Sequence, residues 1–209
     1  MADLLDRIAG AKLVAVLRVP SVDLVEPTVA ALEAGGVTAV ELTFTTPGIA
    51  PELERTRARH PQLLLGAGTI RTGDQARAAA AAAAGVDFLV SPHLDLALLE
   101  ACLATGVPAI PGVLTPSEVA AALGAGAELL KLFPAGSVGP DYLKSLYGPF
   151  PGMQVLPTGG IGLAEAAQWL DAGAVAVGLG GELCPPALIE ASRFTELTEN
   201  ARHFREALG

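Results

Sequence analysis

The chain of 209 residues is short of the residue types that build most special sites. Its two cysteines, Cys102 and Cys184, are far apart, and its histidines are three scattered residues, His60, His93 and His203. Neither set has the spacing of a zinc site or a haem attachment. Lysines number three (Lys12, Lys131 and Lys144) against ten arginines, and Asn200 is the only asparagine. That bias suits a GC-rich genome or a thermophile that avoids labile amides. Long apolar runs are missing too, since none approaches the ~18 residues of a membrane span. The opening MADLLDRIAG carries Asp3 and Asp6 where a secretion signal would be basic and then apolar. A cytoplasmic location is therefore expected. The net charge of −9 offers no basic face for nucleic acid. An anionic small molecule needs only a local positive site and stays open.

What is present is apolar bulk: 51% hydrophobic residues and 17% charged ones, enough for one sizeable core. Without a Gly/Ser-rich or charged linker, residues 1–209 read as a single domain. Short β-branched or leucine-rich runs alternate with longer alanine-rich ones. Strands are expected at Leu13–Leu17, Ala39–Phe44, Leu63–Gly66, Phe88–Ser91, Ala109–Pro111, Leu129–Phe133, Gln154–Thr158 and Ala174–Leu179. Helices are expected at Asp3–Ile8, Ala50–His60, Thr72–Ala84, Thr115–Leu123 and Arg193–Leu208, several with a Thr cap and a Gly stop. Strict alternation demands a parallel sheet. Eight units in this length imply an α/β fold, a closed (βα)8 TIM barrel with a short N-terminal helix. An open doubly wound sheet would show a GxGxxG turn after its first strand, whereas this chain has Arg18-Val19-Pro20-Ser21.

In such a barrel the chemistry lies at the C-terminal strand ends. Those ends carry Arg18, Glu41 with Thr43 and Thr45, Gly66-Ala67-Gly68-Thr69, Ser91-Pro92-His93, Pro111-Gly112, Lys131 with Phe133, Thr158-Gly159-Gly160 and Gly180-Gly181-Glu182. Period-two alternation turns Leu130 and Leu132 toward the helices and Lys131 and Phe133 inward. On the second strand it leaves Glu41, Thr43 and Thr45 inside. Strands two and six face each other, so Lys131 and Glu41 can meet.

A buried pair of this kind can be structural, or the lysine can snorkel out of the mouth. Desolvation makes such a pair a poor stabiliser, however. The chemical reading is stronger. An ordinary lysine holds a free amine in only about one molecule in two thousand at neutral pH, and an apolar pocket disfavours the charged form. A free amine attacks a carbonyl to form a Schiff base, whose protonated imine is an electron sink. A carboxylate beside it can move the protons.

Seven motifs occur in order: Gly35-Gly36-x4-Glu41-x-Thr43, Gly66-Ala67-Gly68-Thr69, Ser91-Pro92, Ile110-Pro111-Gly112, Lys131-x-Phe133-Pro134-Ala135, Pro157-Thr158-Gly159-Gly160-Ile161 and Gly180-Gly181. Carrying these, the chain resembles, nearly end to end, the class I 2-keto-3-deoxy-6-phosphogluconate (KDPG) and 4-hydroxy-2-oxoglutarate (KHG) aldolase family. The resemblance implies a homotrimeric barrel that splits a 2-keto-4-hydroxy acid reversibly into pyruvate and an aldehyde, glyceraldehyde 3-phosphate or glyoxylate. It implies no metal and no cofactor, with a covalent imine on Lys131. Lys131 matches the Schiff-base lysine and Glu41 the general acid/base. Thr69, Pro92 and Phe133 match residues around the pyruvyl group. Thr158, Gly159, Gly160, Gly180 and Gly181 match the loops that receive the substrate's far end, often a phosphate.

Three positions depart from that pattern. Thr45 stands where an arginine is common, leaving Arg18, Arg71 or a set of N–H and Thr hydroxyl donors to serve the substrate carboxylate. Glu182 follows the paired glycines where phosphate binders carry serine. It is either an acid in the first turn of a helix or a group that repels a dianion and accepts hydroxyl donors. His93 replaces a usual glycine and reads as a solvated loop residue. Two rival readings remain: a phosphosugar isomerase, epimerase or synthase barrel, which shares the glycine loops but has no need of Lys131, and a catalytically silent barrel with a binding or assembly role.

Overall fold

The computed structural model describes residues 2–81 and 85–209. In chain order the elements are α1 (Ala2–Ala11), β1 (Leu13–Leu17), a 3-10 turn (Val22–Leu24), α2 (Val25–Ala34), β2 (Ala39–Thr43), α3 (Ile49–Arg59), β3 (Leu64–Gly68), α4 (Gly73–Ala81) and β4 (Phe88–Val90). They continue with α5 (Leu96–Leu103), β5 (Ala109–Ile110), β6 (Gly112–Val113), α6 (Pro116–Gly124), β7 (Leu129–Leu132), a second 3-10 turn (Ala135–Ser137) and α7 (Pro140–Tyr147). The last are β8 (Gln154–Pro157), α8 (Leu163–Asp171), β9 (Val177–Leu179), α9 (Pro186–Glu190) and α10 (Phe194–Leu208). Each expected strand is found within a few residues of its expected ends. The expected helix Thr72–Ala84 is found as Gly73–Ala81, with Thr72 Oγ1 accepting from Gln75 N–H; its last part, 82–84, lies outside the described residues.

Every strand pair is parallel, but the ladder is not one closed ring. It falls into a six-stranded sheet, β5-β4-β3-β2-β1-β9, and a three-stranded one, β6-β7-β8. The expectation of eight strands in a single closed barrel is corrected at two places, between the halves of the fifth strand (β5 and β6) and between β8 and β9. The fifth strand is split at Pro111, which has no N–H to give to a ladder. Its first half pairs with β4 and its second with β7. The sheets meet again through the isolated bridge Thr158–Gly178. The result is a curled parallel sheet in two pieces, wrapped by helices.

Strand alternation sorts the apolar side chains into two clusters. Val40, Leu42, Leu130 and Leu132 belong to the outer one, packed with helix residues such as Leu53, Val119, Leu143 and Trp169. Val14, Ala39, Leu64, Phe88, Ile110, Leu129 and Leu156 belong to the inner one. Leu4 and Ile8 of α1 join that inner cluster, so the N-terminal helix plugs the bottom of the sheet. With the bottom filled, the interior of the sheet opens at the C-terminal ends of the strands. Among the described residues no helix is long and apolar enough to cross a membrane.

Candidate active site

A cavity of about 570 Å³ opens at the C-terminal strand ends. Lys131, third residue of β7, reaches its floor from a run that is buried throughout. Glu41, third residue of β2, comes from a different part of the sheet, its backbone in register with Val16 of β1 and Gly66 of β3. The two side chains meet: Lys131 Nζ lies 3.7 Å from Glu41 Oε2, with the side chains 5% and 1% exposed. That is an ion-pair distance rather than a hydrogen bond. Neither carboxylate oxygen of Glu41 accepts a hydrogen bond from the described residues. A buried carboxylate left this short of partners is costly, and such groups gather where chemistry needs them.

Gly68 at the end of β3 makes the arrangement possible. A Cβ there would stand 1.8 Å from Glu41 Oε1, so only glycine leaves room for the carboxylate. Thr69, the next residue, lines the cavity with φ at 55°, a left-handed conformation that costs a β-branched residue energy. Phe133 lines one wall, and Lys131 Nζ stands 5.4 Å from its ring centroid, within cation–π range. The Phe133 ring packs on Gly159, whose φ is 90° and where a Cβ would come within 2.7 Å of the ring. Pro92 closes another part of the wall.

The loops beyond β8 and β9 form the rest. Thr158, Gly159, Gly160, Gly180, Gly181 and Glu182 all line the cavity. Ala135 N–H donates to Thr158 O at 2.9 Å and Gly136 N–H to Gly159 O at 2.8 Å, tying the loop after β7 to the loop after β8. Glu182 is not in the first turn of its own helix, since α9 begins only at Pro186. Its Oε2 instead accepts from Leu163 N–H at 3.2 Å, at the start of the neighbouring helix α8.

Thr45 does not line the cavity. Its Oγ1 accepts from Arg18 Nε at 3.2 Å and lies 2.8 Å from Thr43 Oγ1, which donates to Leu17 O at 3.0 Å. The chain of hydroxyls thereby holds Arg18, which does line the cavity. Arg71 and His93 are exposed and outside it, so of the two candidate arginines the geometry selects Arg18. Sequence reading missed Val16, Ile161, Cys184 and Pro186 as lining residues. Val16 was within reach, being Glu41's partner one strand away. Cys184, two residues past Glu182, carried no such signal. Burial pushes its thiol up to about 12, which keeps it an inert apolar wall.

The chain matches the family model described as "KDPG and KHG aldolase" over residues 4–200. It is 38% identical to the 2-dehydro-3-deoxy-phosphogluconate aldolase of Pseudomonas aeruginosa over 183 residues, 87% of this chain and 81% of that one. It is 33% identical to the KHG/KDPG aldolase of Escherichia coli, across 90% of this chain and 88% of the other. A similar solved structure is the KDPG aldolase from Legionella pneumophila with pyruvate captured at low pH as a covalent carbinolamine intermediate. It has a TM-score of 0.89 and 31% identity, covering 96% of this chain and 97% of that one. The chain therefore belongs to the KDPG/KHG aldolase family of carbon–carbon lyases.

Proposed function

We propose that the protein is a class I aldolase in which Lys131 forms the Schiff base and Glu41 moves the protons. The observation that carries this reading is the buried Lys131–Glu41 pair, in which Lys131 lines the cavity and Glu41, not itself a lining residue, lies 3.7 Å from its amine. The 3.7 Å gap brings the two charges together without tying the amine into a hydrogen bond. Transfer of a proton from the Lys131 ammonium to the Glu41 carboxylate gives a free amine and the acid form of Glu41. The amine adds to the C2 carbonyl of a 2-keto-4-hydroxy acid, and a proton passing from nitrogen to oxygen completes the carbinolamine. Protonation of its hydroxyl by the acid form of Glu41 expels water and leaves the iminium. The Glu41 carboxylate then takes the proton of the C4 hydroxyl. The C3–C4 bond breaks, its electron pair flows into the iminium, and an aldehyde departs from the enamine. Return of the proton to C3, followed by hydrolysis of the imine, releases pyruvate and free Lys131.

In this reading the pyruvyl group lies among Thr69, Pro92 and Phe133, with Arg18 available to its carboxylate. The substrates are 2-keto-3-deoxy-6-phosphogluconate, 4-hydroxy-2-oxoglutarate, or both. The iminium is the electron sink, so no metal or other cofactor is required. The two sheets act as the wall of one eight-unit barrel, a single domain over 1–209. It works as a cytoplasmic homotrimer, the assembly that the family resemblance implies, in carbohydrate metabolism. A phosphosugar isomerase needs paired acid/base groups and has no need of an imine-forming lysine on β7.

The test is direct. Enzyme dialysed against EDTA is mixed with each keto acid in turn and pyruvate is measured. Release of pyruvate unaffected by the chelator is expected. A requirement for added divalent metal, or no cleavage of either acid, would overturn the proposal.

A further inference from the structure

The far end of the cavity is built from glycine turns at Gly159-Gly160 and Gly180-Gly181, followed by the N-terminus of α8. Free N–H groups at a helix start attract anions, a phosphate among them. Here the chain already supplies the anions. Leu163 N–H is taken by Glu182 Oε2 and Gly162 N–H by Glu165 Oε2, each at 3.2 Å. Gly162 leaves the space: a Cβ there would stand 2.7 and 2.9 Å from the two carboxylate oxygens of Glu182. The backbone of Glu182 is held in turn, because Asn200 Nδ2 donates to its carbonyl at 2.8 Å and to that of Leu183 at 3.0 Å. Glu182 is solvent-exposed, yet it lines the cavity with its backbone held by Asn200 and its carboxylate placed on Leu163 N–H.

Resting on the aldolase reading above, we infer that Glu182 is a built-in occupant of the anion site and a specificity-determining residue. It selects 2-keto-4-hydroxy acids that are short or end in a hydroxyl group, and disfavours those ending in a phosphate. A phosphate dianion arriving there meets a carboxylate of like charge and finds the N–H groups of Gly162 and Leu163 already taken. A terminal hydroxyl, by contrast, can donate to a carboxylate oxygen.

The experiment compares wild type with Glu182→Ser on two keto acids that differ only in the phosphate: 2-keto-3-deoxy-6-phosphogluconate and its unphosphorylated form. In the variant the ratio of kcat/KM, phosphorylated over unphosphorylated, should rise by about tenfold or more, as expected when a like charge leaves and a donor hydroxyl arrives. An unchanged or falling ratio would overturn the assignment. A second measurement needs neither chemistry nor a variant. Inorganic phosphate titrated into the wild type should not bind in the micromolar range, and tight binding that protects the cavity loops would overturn the inference. Failure of the aldolase reading itself would look different: neither keto acid would be cleaved, while phosphate binding still decides the role of Glu182.

Discussion

Lys131 Nζ and Glu41 Oε2 lie 3.7 Å apart with almost no solvent access, on strands that come from distant parts of the sequence. The pair is balanced only by itself. Glu41 has no other partner among the described residues, and a buried charge that loses its counter-ion costs several kcal/mol. Structure and chemistry are therefore coupled at this point, and the predictions follow from that coupling.

Glu41→Gln keeps the volume and a hydrogen-bonding side chain but cannot carry a proton. Steady-state assays should show kcat reduced by ~10²–10⁴, the usual worth of a positioned acid/base group. Near-normal turnover would assign the proton transfers to another group.

Lys131→Met leaves Glu41 buried alone and should lower stability by about 3–5 kcal/mol. Adding Glu41→Gln to that variant should restore most of the loss, because the unpaired charge is gone. Urea denaturation of the four proteins of the cycle gives the coupling. Simple addition of the two single effects would show that the charges do not sense each other.

Gly68→Ala would set a methyl group 1.8 Å from where Glu41 Oε1 now lies. The carboxylate must move, and a displacement of about 1 Å at a reacting group can cost ~10² in rate. A fall of that order in kcat is expected, with a stability loss of about 1–3 kcal/mol from overpacking. Unaltered kinetics would mean that the position of Glu41 is not used.

Burial raises the Cys184 thiol from an ordinary 9.0 to about 12. The unfolded chain ionises first, so the stabilising contribution is whole below about pH 9. It is lost as the pH rises from there toward about 12, at roughly 1.4 kcal/mol per pH unit while only the unfolded thiol titrates. Urea midpoints between pH 8 and 10.5 should fall more steeply for wild type than for Cys184→Ala. Equal slopes would contradict this.

Much of this was legible in the chain because two periodicities do the positioning. Alternation along Leu129–Leu132 placed Lys131 opposite in facing to Leu130 and Leu132, and the same rule placed Glu41 against Leu42. What stayed hidden depends on contacts between segments distant in sequence. Pro111 was visible as a residue with no N–H for a ladder, but no local pattern encodes that the first half of the fifth strand pairs with β4 and the second with β7. Glu182 could be read only against its own helix. Its true partner, the start of α8, lies 19 residues earlier. Thr45 was visible as a missing arginine, but its hydroxyl link to Arg18 joins the ends of two neighbouring strands. Gly68 was visible as part of a motif, whereas the reason for it is a side chain 27 positions before it in the chain.

The most direct measurement is reductive trapping. The protein is incubated with pyruvate, reduced with borohydride, digested and mapped by mass spectrometry. One reduced pyruvyl adduct per chain, located on Lys131 and not on Lys12 or Lys144, is the expected result. Lys12 Nζ is engaged by the carbonyls of Leu208 and Gly209, and Lys144 Nζ is paired with Asp141 on the surface, so neither is placed to react. No adduct, or an adduct on either of those lysines, would contradict the assignment of Lys131 as the Schiff-base residue.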